Sequence, residues 1–279
     1  MSHIKGLMEG KRGLVMGVAN DHSIAWGIAK AVAEHGGELA FTYQGEQFGR
    51  RVKPLAESVG STRVYPCDVE DDASMDGVFS KIADDWGRLD FLVHAIAFSN
   101  RAELKGRFVD TSRDNFVRTM VISCFSFTDI MRRAAPLMSP GASALTLTYA
   151  GSTRVMPNYN VMGVAKAGLE ASVRYLASDF GTDGIRVNAI SAGPVRTLAG
   201  SGVSDARLMF NYQRANSPLR RAVTISDVGG AALYLLSDLS AAVTGEIHFV
   251  DSGYSTVSMP RLEMLKREED IIDEEAASE

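Results

Sequence analysis

Short apolar runs of strand length alternate along this chain with longer stretches of helical period, and that alternation narrows the fold more than any other feature. Residues 14–18 read as a buried strand and 24–35 as an amphipathic helix that stops at Gly36 and Gly37. Residues 39–43 form the next strand, and a helix then runs to about Val59. A third strand at 63–65 leads through Cys67 and Asp68 into a polar helix over about 72–86, and 91–96 is the fourth strand. A long helix over about 112–135 precedes a strand at 145–149, and a second long helix covers 161–180. Strands at 185–190 and 247–250, with a helix of about 226–236 between them, complete the series. Such alternation implies an α/β fold: a single doubly wound parallel sheet of the Rossmann type, seven strands, with helices on both faces. No internal repeat, no linker rich in Pro or Ser and no second domain interrupts residues 1–260.

The 279 residues, 46% of them hydrophobic and 23% charged, can enclose a sizeable core and exclude a collagen, a disulfide miniprotein and a disordered chain. The net charge of 29 − 34 = −5 argues against a general nucleic-acid binder. From Arg261 to Glu279 eight acids face three bases, so the whole formal deficit lies in an acidic tail, read as solvated and frayed. A regulatory or partner-binding tail is the other reading. Cys67 and Cys124 stand far apart without CxxC spacing and read as buried free thiols in a reducing compartment. The histidines never fall at metal-ligand spacing, so no metal is expected. Lys5, Glu9, Lys11 and Arg12 break any signal-like apolar run. The uncharged stretch 134–153 carries Pro136, Pro140, Gly141 and Gly151, which spoil it as a membrane helix. A soluble, cytoplasmic protein is expected.

A doubly wound sheet binds its ligand beyond the carboxyl ends of the strands. The first strand ends in Gly17-Val18-Ala19-Asn20-Asp21-His22-Ser23-Ile24. Gly17 allows a tight turn, the following helix presents free N–H groups to a pyrophosphate, and Ser23 can cap that helix or donate to a phosphate. The loop is longer than GxGxxG and lacks its middle glycines, so an ordinary strand-to-helix turn is an equal reading. Gln44 ends the second strand where an adenosine ribose would be read; being neutral, it selects neither NAD nor NADP. Asp68 stands where an acid would hold an adenine amino group, and 94–97 where small residues would let a cofactor pass.

Chemistry concentrates between Tyr149 and Lys166. Tyr149 closes a buried strand, while Tyr159 and Lys166, seven residues apart, are expected on one face of a helix. An ammonium beside a phenol would lower its pKa from about 10 and improve it as a proton donor. Taken singly, each residue has a plain structural reading: a core aromatic, a helix-start residue, a solvated lysine. Lys166 is the hardest to read so, because Val164, Ala165, Ala167 and Leu169 around it are apolar.

Across residues 8–258 the chain resembles the short-chain dehydrogenase/reductase superfamily, and more narrowly its NADH-dependent enoyl-[acyl-carrier-protein] reductases. Common members of the superfamily carry a tyrosine four residues before the lysine, where this chain has Met162. The enoyl reductases instead space tyrosine, nine residues, tyrosine, six residues and lysine, which Tyr149, Tyr159 and Lys166 match. The long phosphate loop with Ser23-Ile24-Ala25, the stretch 157–163 and the stretch 186–194 also match.

The resemblance implies reduction of a trans-2-enoyl thioester on acyl carrier protein in fatty acid biosynthesis. Tyr149, Tyr159 and Lys166 would be catalytic, and Ser99 would contact the acyl substrate. Gly17, Ser23, Ile24, Gln44, Asp68, Val69, Ile96 and Lys166 would line an NAD site, joined by Val195, Arg196, Thr197, Leu198 and Ala199 at its nicotinamide end. It further implies a substrate lid at about 197–210, a homotetramer and a preference for NADH, with NADPH still open. Ala97 departs from the glycine many relatives have, and Arg207 is a sparse basic complement for a lid that meets an acidic carrier. Two rivals remain: a carbonyl (3-oxoacyl) reductase of the same fold, which Met162 argues against, and a non-catalytic NAD-binding regulator.

Overall fold

The computed structural model describes residues 6–195, 197 and 206–261. Its elements run β1 (Arg12–Met16), α1 (Ile24–Glu34), β2 (Glu38–Tyr43), α2 (Gly45–Ser58), β3 (Val64–Pro66), α3 (Asp72–Trp86) and β4 (Leu89–His94). The second half holds α4 (Arg113–Met120), a π-helical turn (Val121–Phe125), α5 (Ser126–Ala134), β5 (Met138–Thr148) and α6 (Val161–Gly181). It ends with β6 (Arg186–Ala192), α7 (Ala206–Asn216), α8 (Ile225–Leu236) and β7 (Ile247–Val250). The seven strands lie in the order β3-β2-β1-β4-β5-β6-β7, every neighbouring pair parallel. This is the doubly wound sheet expected from the alternation.

The two-residue period of the strands sorts their side chains between two cores. Leu14, Met16, Leu92, Ala144 and Val187 face the layer of α3, α5 and α6. Val15, Phe91, Val93, Leu145 and Ile190 face α1, α2 and α8. With both faces covered, the strands read as continuous apolar runs, which is why they stand out in the sequence. Both cysteines are free and buried. Among the described residues no helix is long and apolar enough to cross a membrane.

Two long-range clamps tie helices to this frame. Buried Arg133 on α5 pairs with Asp129, with Asp72 (2.7 Å) and with Asp76 (2.6 Å), joining α5 to α3. Buried Arg186 on β6 donates to the carbonyl oxygens of Leu235 (2.9 Å) and Ser237 (3.1 Å) and to Ser240 Oγ (2.8 Å). It thereby satisfies acceptors that the end of α8 leaves open.

Four elements differ from the sequence reading. The helix expected over 112–135 is interrupted by the π-helical turn, which no composition signal marks. The fifth strand starts at Met138 rather than at 145, because Pro140 and Gly141 form an irregularity inside it rather than a turn before it. The register with β4 shifts there, and Gly141 N–H bonds the Gly184 carbonyl at 2.9 Å. β1 and β4 both end two residues earlier than read.

Candidate active site

The chain reverses direction across the sheet between β1 and β4, so the ends of these strands open the crevice where a doubly wound sheet takes its ligand. Gly17 follows β1 at φ +100°, and a Cβ there would fall 2.1 Å from the Ala95 carbonyl oxygen beyond β4. Only glycine lets the two strand ends approach so closely. Ser23 occupies the N-cap position of α1, yet its side chain makes no cap hydrogen bond. Its Oγ accepts from the N–H groups of Ala19 and Asn20, both at 3.0 Å, and so knots the loop upon itself. The capping role expected of Ser23 is unfilled. The N–H groups at the start of α1, Ile24 included, keep their capacity for an anion.

At the neighbouring strand ends Gln44 Nε2 donates to Asp68 Oδ2 at 3.1 Å, while Asp68 Oδ1 accepts from Glu70 N–H at 3.0 Å. Val69 and Ile96 pack half-buried against the same core. Val195 is buried beyond β6 and Thr197 half-buried. Arg196, Leu198 and Ala199 lie outside the described residues, as do most of the lid expected at 197–210 and the tail after Arg261. Glycine at the crossing, an uncapped helix start and the Gln44–Asp68 pair fit a dinucleotide laid across the strand ends.

The chemical end is built around a turn. Tyr159 precedes α6 instead of riding on it, held between Asn158 at φ +57° and Asn160 at φ +37°. Both asparagines take up positive φ, which most side chains resist. Asn160 Nδ2 donates to the carbonyls of Glu103 and Gly106, each at 3.3 Å, fixing the turn to the loop after β4. The Tyr159 ring meets the Tyr149 ring edge-on at 5.1 Å between centroids. The phenol therefore reaches the site by a strained turn rather than by helical spacing.

Lys166 on α6 is buried, and its Nζ donates to the Leu147 carbonyl at 2.7 Å. Burial pushes its pKa down to about 8, against upward pulls from Cys124 and Glu170. The expected lowering of the tyrosine pKa is not found. Burial pushes Tyr159 well above the usual phenol, helped by Tyr149 and Glu170, and burial pushes Tyr149 up to about 12 with help from Tyr254. The lysine's nearest bond goes to a carbonyl, so both phenols stay protonated as donors. The Tyr149 hydroxyl is buried without a hydrogen-bond partner among the described residues, a polar group left for a ligand.

Several contacts around the site escaped the sequence reading. His94, fully buried at the end of β4, bonds Thr146 Oγ1 at 2.8 Å and Ser126 Oγ at 2.9 Å. Burial and then Lys166 hold its pKa down near 3, so its ring is neutral. Thr148 donates to Glu170 at 2.6 Å below the lysine. Ser99 sits in a network with Asn115 and Thr119 of α4. The alternation of Thr146 and Thr148 within an apolar strand was the signal available for two of these.

A doubly wound sheet with an open nucleotide crevice, a buried lysine and a tyrosine at its mouth defines a short-chain dehydrogenase/reductase. The family model described as Enoyl-(Acyl carrier protein) reductase matches residues 17–255. Enoyl-[acyl-carrier-protein] reductase [NADH] 2 of Rhizobium meliloti is 70% identical over 263 residues, covering 94% of this chain and 98% of that protein. The NADH enoyl reductase of Rickettsia typhi is 53% identical over 92% of this chain and 98% of its own. A crystal structure of the Anaplasma phagocytophilum enoyl reductase in complex with NAD superposes with a TM-score of 0.89 at 60% identity, covering 92% of this chain and 98% of that one. The chain belongs to the enoyl-(acyl carrier protein) reductase family.

Proposed function

We propose that the chain reduces the trans-2 double bond of enoyl-acyl-carrier-protein thioesters with NADH, in fatty acid elongation. The observation that carries this reading is the Tyr149–Tyr159 pair at the mouth of the crevice, one turn ahead of the helix that bears Lys166. Position 162, where carbonyl reductases of this fold carry their tyrosine, is a buried methionine with no proton to give.

When bound, NADH would supply the hydride that adds to the β-carbon, and the α-carbon would then take up a proton relayed by the Tyr149 hydroxyl. The Tyr159 hydroxyl donates to the thioester oxygen and stabilises charge where it collects, a contribution worth about 10²–10³ in rate for one such donor. Lys166 orients the nicotinamide ribose and adds positive potential; its charge is held in place by the Leu147 carbonyl. Tyr149 shapes the pocket and offers its unpartnered hydroxyl beside Tyr159. Gly17, Ser23 and Ile24 serve the pyrophosphate end, Gln44, Asp68 and Val69 the adenosine end, and Ile96, Val195, Arg196, Thr197, Leu198 and Ala199 the nicotinamide end. Ser99 contacts the acyl substrate.

Residues 1–260 would act as one catalytic unit whose segment 197–210 covers the acyl chain. Exposed Phe125 on the π-helical turn, and Val164 and Tyr175 on α6, support a homo-oligomer, which we read as a tetramer. A cytoplasmic setting, where the two thiols stay reduced, accords with this role. The test is NADH consumption with a 2-enoyl thioester beside a 3-oxoacyl thioester. Turnover of the enoyl substrate alone is expected. Turnover of the 3-oxoacyl substrate alone would replace this reading with a carbonyl reductase, and NADH binding without turnover of either would leave a regulator.

A further inference from the structure

The loop that follows β4 carries Phe98 and Ser99 past the mouth of the crevice, and one helix holds the stretch 98–100. Asn115, Thr119 and Ser123 follow one another at intervals of four, and all three are buried. Thr119 Oγ1 donates to Ser99 Oγ at 2.9 Å, and Asn115 Oδ1 accepts from Asn100 N–H at 2.9 Å. Ser123 grips Phe98 from both sides: its Oγ accepts from Phe98 N–H at 2.9 Å and donates to the Phe98 carbonyl at 3.0 Å. The same oxygen lies 3.7 Å from Met162 Sδ at the start of α6. Ser123 is thus the point where the substrate loop and the lysine-bearing helix share one polar atom.

Ser123 stands inside the π-helical turn Val121–Phe125. A π-turn inserts one extra residue into the helical ladder and redirects the side chains after it, a device concentrated at functional sites. Here the turn coincides with the serine that holds both backbone groups of Phe98. On the outer side Arg118 lies over the Phe98 ring at 4.6 Å and is itself paired with Glu70 at 2.8 Å. The ring is therefore fixed from solvent and the backbone from the core.

We propose that Ser123 is a positioning residue for the acyl substrate: by clamping the Phe98 peptide it sets where Ser99 and the adjoining wall meet the enoyl thioester, leaving the nucleotide subsite untouched. The proposal rests on the reading of Ser99 as a substrate contact. Ser123→Ala removes the clamp without adding volume, and Ser123→Thr keeps the hydroxyl. In Ser123→Ala, which loses both bonds to Phe98, the KM for the enoyl thioester rises roughly tenfold, while the Kd for NADH stays within about twofold. Ser123→Thr falls closer to wild type. Parallel losses in enoyl KM, NADH affinity and melting temperature, or an unchanged enoyl KM, would overturn the proposal. Amide exchange separates it from the functional reading: the Phe98 N–H exchanges about tenfold faster in Ser123→Ala whether or not wild type turns over enoyl thioesters. Unchanged protection at this amide would remove the clamp itself.

Discussion

A Cβ atom built on Gly151 would stand 2.4 Å from Cδ1 of the Tyr159 ring. The aromatic ring lies directly on the backbone of the turn after β5, and Gly163 at the start of α6 leaves room for the Gly151 carbonyl in the same way, at 2.7 Å. The position of the Tyr159 phenol, the donor of the proposed mechanism, is therefore set by two missing side chains as much as by the tyrosine itself. Gly151→Ala is expected to push the ring out of place and to lower kcat/KM about 10²-fold, the cost of a misplacement near 1 Å. NADH affinity, measured by fluorescence titration, should hold. A variant as active as wild type would show that the ring needs no such seat.

In the proposed mechanism Lys166 sets the alkaline limb of the reaction. Burial brings its pKa to about 8, so the ammonium is present below that pH and lost above it. The expected profile of kcat/KM for NADH falls as pH rises through about 8. Lys166→Ala should lose cofactor affinity and turnover together. A wild-type profile flat through that pH would contradict the role of the charge.

His94 makes the fold acid-sensitive. Its folded pKa lies near 3, below the ordinary histidine value, so the unfolded chain takes up a proton that the folded chain refuses. The stability it contributes is complete above about pH 6.5 and drains as pH falls toward 3, at up to about 1.4 kcal/mol per pH unit. Urea midpoints across that range should drop steeply in wild type and less steeply in His94→Gln.

Arg186 is a stability residue without a carboxylate partner. Its removal in Arg186→Met takes the charged donor from the Leu235 and Ser237 carbonyls, which keep only the weaker bonds from Ser143 and Ser240, a loss of about 2 kcal/mol. Thermal unfolding checks this. The remaining folded enzyme should bind NADH normally, since among the described residues the Arg186 side chain bonds the segment from Leu235 to Val243.

Much of the fold was legible because strands buried on both faces are unbroken apolar runs, and α1, α3 and α6 begin where their sequences indicate. The tyrosine spacing singled out Tyr149 and Tyr159, which the fold does bring together, but for a partly wrong geometric reason. Helical spacing suggested one face, whereas Asn158 and Asn160 carry Tyr159 in through a strained turn that no periodicity reveals. Ser23 fits a cap by composition but spends its oxygen on Ala19 and Asn20, a choice decided by loop closure. The polar ladder Asn115, Thr119 and Ser123 was visible as a four-residue spacing, yet the π-turn that aims its last member depends on packing against the loop after β4.

The most direct test compares wild type with Tyr159→Phe and Tyr149→Phe, following NADH absorbance with a 2-enoyl thioester. A fall of about 10²–10³ in kcat for Tyr159→Phe, with NADH affinity kept and a milder loss for Tyr149→Phe, is the predicted result. Turnover surviving nearly intact in Tyr159→Phe would contradict the account and move the donor to Tyr149 or to water.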